Sequence, residues 1–193
     1  MDLKTNYQKV YEKIMDYKID SFKEGSFASE IHRYYNEIGL KEGWLKPEYM
    51  TELAQQDNIT KKKNIEAAKD VICFWRKMFN QQHGLFHMDH HLDIIRIMQE
   101  CIISFLTHKE FKWLEECSKS QHEQWKKFVN EYQKERITPS HKDFREKNFE
   151  QFYKRYEKLS FLEKDQDRLI VAIVTDRILE TSQIGHIRWI HTN

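Results

Sequence analysis

Five glycines and two prolines among 193 residues are too few for the many tight turns of a β-rich fold. Their scarcity predicts long helices joined by few connections. Cysteine is scarce too. Cys73, Cys101 and Cys117 are odd in number and show no C-x-x-C spacing, which argues against a disulfide framework and a cysteine-based zinc site. Such thiols fit a reducing compartment. Long apolar runs are also missing. The longest, Leu169 to Val174, is too short to span a bilayer, and the opening Met1-Asp2-Leu3-Lys4-Thr5 lacks the apolar stretch of a secretory signal. The expectation is a cytoplasmic protein without a transmembrane segment. Export as an effector, without an N-terminal signal peptide, leaves no trace in this test.

Neither sign of charge is in excess. With 32 basic and 31 acidic residues the net charge is +1, so no global field draws the chain to nucleic acid or an anionic membrane. Lys61, Lys62 and Lys63 form the longest basic run and read as a solvated helix face. A glycine-rich phosphate loop, a nucleophile elbow and a kinase signature are all absent. No internal repeat or linker rich in Pro, Gly or Ser divides the chain.

What is present is a charged surface and an aromatic core. Hydrophobic residues make up 39% and charged residues 33%, and twelve Phe, nine Tyr and five Trp set the chain apart from disordered sequences. Apolar residues recur at three- and four-residue steps, the period of an amphipathic helix. Helices are expected near 3–19, 27–38 (ending at Gly39), 47–56, 60–80, 85–106, 109–136, 140–159 and 161–182. The fold class is all-α: one domain over 1–193, an irregular bundle of about seven to eight helices, with a C-terminal tail over 183–193.

The unusual segment runs His83-Gly84-Leu85-Phe86-His87-Met88-Asp89-His90-His91. At 100° per residue, Ile94, Ile95, Met98, Cys101, Ile102 and Phe105 all fall within roughly 80° of His87. His90 and His91 flank the same direction. A core-facing stripe thus begins with imidazoles and continues with aliphatics. An unpartnered buried imidazole costs about 1–3 kcal/mol. A transition metal such as Zn or Fe would satisfy several, and His87 and His91 have the i, i+4 spacing that shares one ion. Solvated histidines at an exposed first turn are the plainer alternative.

The run Leu169 to Glu180 is apolar around most of its circumference and so belongs at the centre. Asp176 and Glu180 share its inward side and can complete a shell with His87, His91, His83 and His90. Structural ion pairs with Arg168 or Arg177 are the competing explanation.

Three functions follow. The leading one is a helical interaction protein, adaptor-, immunity- or effector-like, whose partner is another protein. The second is a metal-binding helical-bundle enzyme centred on His87 and His91. Of the hemerythrin-like pairing of H-x-x-x-E with H-x-x-x-H, only the second half is present. The third rests on Arg76 to His83 and Arg136 to His141. Their spacing resembles the Arg-then-His pattern of HEPN-type helical ribonucleases, though Pro139 interrupts the second pair.

Overall fold

The computed structural model describes residues 3–18, 25–45, 47, 58–83, 91–132, 151 and 153–184. Six α-helices occur among them: α1 (Leu3–Asp16), α2 (Phe27–Lys41), α3 (Asn58–His83), α4 (His91–Leu106), α5 (Lys112–Tyr132) and α6 (Phe161–Thr181). The all-α class holds, and no strand occurs among the described residues. All but Pro47 of the helix expected at 47–56 and most of that at 140–159 lie outside them, as does the tail from 185 on. Where the latter helix is described, its end departs from expectation. Tyr156–Lys158 is a single 3₁₀ turn flanked by extended Arg155 and Leu159. Ser160 cannot continue a helix there because it starts the next one.

Capping explains the boundaries. Ser160 accepts from the Glu163 backbone N–H while the Glu163 carboxylate accepts from the Ser160 N–H at 2.7 Å, a complete capping box for α6. The glycine that ends α2 is Gly43, not Gly39. Gly43 sits at φ +76°, and Leu45 N–H returns to the Gly39 carbonyl at 2.9 Å. Gly39 stays helical because Trp44 and Leu45 fold back onto it. A Cβ there would lie 2.9 Å from the Leu45 Cβ.

Between α4 and α5 the chain turns through His108, at φ +51°. Lys109 N–H bonds the Ser104 carbonyl at 2.8 Å and His108 N–H bonds the Phe105 carbonyl at 3.1 Å. This is a helix end that glycine normally occupies, so an imidazole sits there against conformational preference.

α6 is the central helix. Leu169, Val171, Ala172, Ile173, Val174, Ile178 and Leu179 are all buried, and α6 packs against α2, α3, α4 and α5. One hydrophobic cluster draws residues from all six helices. The expected α4 stripe faces it, with Ile94, Met98, Cys101, Ile102 and Phe105 buried. Ala68, Ile72, Trp75 and Phe79 do the same on α3, and the Trp75 indole N–H donates to Thr175 Oγ1 at 3.0 Å. Tyr35 donates to Gln166 at 3.0 Å, and Arg177 reaches the Gly25 carbonyl, so α2 runs antiparallel to α6. Arg76 donates to the carbonyls of Ile14, Met15 and Tyr17, placing a cation on the C-terminal end of α1. No helix among the described residues is long and apolar enough to cross a membrane.

Candidate functional site

The sequence-predicted residues separate into two groups. His83 closes α3 and His91 opens α4. His87 and His90, and the side chains of His83 and His91, lie outside the described residues. Asp176 is buried on α6, and its charge bears on Tyr34 of α2. Glu180 is half-buried and accepts from Arg177 one turn earlier, the ion-pair alternative weighed for it. Among the described residues no group of three or more His, Cys, Asp or Glu is placed to hold a metal.

The polar chemistry of the described fold gathers instead at Asp165-Gln166-Asp167-Arg168, just before the apolar run of α6. Two residues advance a helix by about 200°, so Asp165 and Asp167 point to nearly opposite sides. Each meets a different imidazole. Asp165 Oδ2 lies 3.4 Å from His108 Nδ1 at the α4–α5 turn, and Asp167 Oδ2 lies 3.3 Å from His122 Nδ1 on α5.

The first pair belongs to a chain of charges. Arg168 is only 1% exposed. Its Nη1 donates to Asp165 Oδ1 at 2.9 Å, and its Nη2 lies 2.7 Å from Glu115 Oε1. Glu115 Oε2 accepts from the Tyr156 hydroxyl at 3.0 Å. The guanidinium also covers the Phe161 ring at 4.8 Å. Burial opposes its charge, yet the bonds to Glu115 and Asp165 carry its pKa above the ordinary arginine value. Burial, then the Glu115 charge, pushes the Tyr156 phenol up, so it acts as a donor and not as a phenolate.

The second pair is sealed. His122 has no exposure, and its Nε2 lies 3.2 Å from the Lys154 carbonyl. Trp125 stacks on it at 5.7 Å between ring centroids. The contact with Asp167 is off the line of a straight hydrogen bond, so it is an angled ion pair. Burial opposes protonation of His122, but Asp167 and the Lys154 carbonyl outweigh it and raise its pKa. Burial raises the Asp167 pKa against the pull of His122 and Lys63. Asp167 also borders a small cleft of about 40 Å³ with Lys63, Gln121, Gln124, Trp125 and Gln166.

Chemically, these groups hold one another. Both nitrogens of His122 are engaged and none reaches solvent. The His108 side chain is 56% exposed, but among the described residues no hydroxyl or thiol bonds to it. Cys101 and Cys117 are buried, which raises their thiol pKa values and keeps them inert. Arg76, weighed above as a ribonuclease residue, spends its guanidinium on α1.

Large apolar side chains lie exposed on α4 and α6. Ile103 (42% exposed) and Leu106 (36%) end α4, and Phe161 (41%) and Leu162 (50%) begin α6. His108 follows the first pair in the chain and lies against the second, its ring 5.8 Å from that of Phe161. The sequence reading missed this end. Its signal was a polar Asp-x-Asp-Arg run opening an apolar helix, with two large apolar residues just before it. No protein-family model, curated protein or solved structure matches the chain.

Proposed function

We propose that the chain is a helical interaction protein that binds another protein through the end of the bundle where α4 turns into α5 and α6 begins. The observation that carries this reading is the exposure of Ile103, Leu106, Phe161 and Leu162 around the His108 turn. Exposed large apolar residues in a cluster cost solubility and are the usual core of a docking site. The neighbouring Arg168, Asp165 and Glu115 support it, because their pairing inside the fold holds the start of α6 in place. Exposed Lys109, Lys158 and Glu110 give the apolar centre a charged rim. The partner suited to such a surface presents an apolar face of its own.

A photo-crosslinking side chain at Leu162 tests the reading, with one at exposed Glu12 as control. The expected result is a discrete protein adduct at 162 that disappears when Leu106→Asp is added. Equal labelling at both positions would remove the basis of the proposal. The transition-metal alternative on His87 and His91 draws no support from the described residues.

A further inference from the structure

The proton count at His122 has a consequence for the connector that leads into α6. A carbonyl oxygen only accepts, so the contact between His122 Nε2 and the Lys154 carbonyl requires a hydrogen on Nε2. Nδ1 faces the Asp167 carboxylate at 3.3 Å. A neutral imidazole carries one N–H and cannot serve two acceptors. Holding both contacts therefore requires a further proton between Nδ1 and Oδ2, whichever atom carries it. The imidazole has no exposure, so water cannot replace either partner while the site is closed.

We propose that His122 is a proton-gated clamp on the connector 153–160: protonated, it holds Asp167 and the Lys154 carbonyl together, and deprotonated it keeps the charged partner and releases the carbonyl. The rest of the connector has its own anchors: Tyr156 and Leu159 are buried, and Ser160 sits in the α6 capping box. Lys154 pairs with Glu163 at 2.9 Å, Tyr156 bonds Glu115, and Glu157 pairs with Lys119 at the surface. Release removes the tie at Lys154 and loosens the stretch that leads to Phe161 and Leu162 at the start of α6. The clamp itself stands whether or not that surface binds a partner.

The groups facing the pair come from α2, α3, α5, α6 and the connector, with the Tyr35 phenol of α2 beside Asp167. Asp167 of α6 favours the imidazolium, and Lys126 of α5 opposes it. Lys63 of α3 stabilises the Asp167 carboxylate. Tyr156 of the connector presents its ring at 6.2 Å while its hydroxyl turns to Glu115. The balance raises the His122 pKa above its ordinary 6.5. For a raised pKa, the stabilisation is complete below the ordinary value. It is lost as pH climbs from there through the folded-state value.

Amide hydrogen exchange of the full chain, corrected for intrinsic rates, tests this between about pH 6 and 9. Protection of 153–160 should fall up to about tenfold per pH unit above the ordinary histidine value and then level off. Amides 171–175 inside α6 should hold. In Asp167→Asn the amide can donate to Nδ1, so a neutral imidazole satisfies both sides. That variant should keep 153–160 protected throughout. A ring-nitrogen NMR titration of the wild-type chain covers the case in which the variant does not fold. It should show a ring protonated on Nε2 at low pH passing to a neutral ring protonated on Nδ1 alone. Protection independent of pH, or an Nε2 that keeps its proton across the range, overturns the proposal.

Discussion

Arg168 shows how a single residue ties three elements together at the start of α6. Its guanidinium neutralises Asp165 on its own helix and Glu115 on α5, and through Glu115 it reaches Tyr156 on the connector. Desolvating such charges is expensive, and the pairing only offsets that cost. Removing the cation leaves Asp165 with only His108 beside it and Glu115 with only the Tyr156 hydroxyl. Arg168→Met should therefore cost about 3–5 kcal/mol despite its similar volume. Urea unfolding reads this as a lower midpoint with an unchanged slope. A midpoint near wild type would show that the network carries little.

At the scale of elements, caps and close approaches decide where helices stop. Ser160→Ala removes half of the α6 capping box and should cost about 0.5–2 kcal/mol, measured by thermal or urea unfolding. Burial alone would raise the Glu163 pKa, but the Ser160 N–H and Lys154 lower it below 4.5. Its contribution is thus present above that value and lost as pH falls through the folded value. The loss should be smaller in Ser160→Ala. Gly39 reverses the usual propensity rule. Alanine is the better helix former by about 1 kcal/mol, yet its Cβ would press into Trp44 and Leu45. Gly39→Ala should therefore destabilise, and a stabilised variant would contradict the packing given for it.

Much of this scale was legible in the sequence. Three- and four-residue spacing gave the apolar faces of α3 and α4, and Ser160 announced α6. Spacing did not give the turn at His108 or the end of α2. Both depend on left-handed residues and on what packs across the break. Periodicity sees faces and not partners, which is why the stripe of α4 was found and the Asp165 and Asp167 pairings were not. Asp176 is buried as expected, whereas Glu180 is part-exposed and meets Arg177 on the same helix.

For the whole molecule, the account divides an inside from an end. Inside, α6 is encircled, and Asp165, Asp167 and Arg168 meet charged neighbours on other elements. At one end, Ile103, Leu106, Phe161 and Leu162 face water. The most direct measurement is the affinity of the protein captured through Leu162 for the folded chain and for Leu106→Asp/Leu162→Asp. Loss of a docking centre costs about 2 kcal/mol or more, which is a weakening of roughly thirtyfold, and the doubly substituted chain is compared at a temperature where circular dichroism shows it folded. Equal affinity of the two chains would contradict the account.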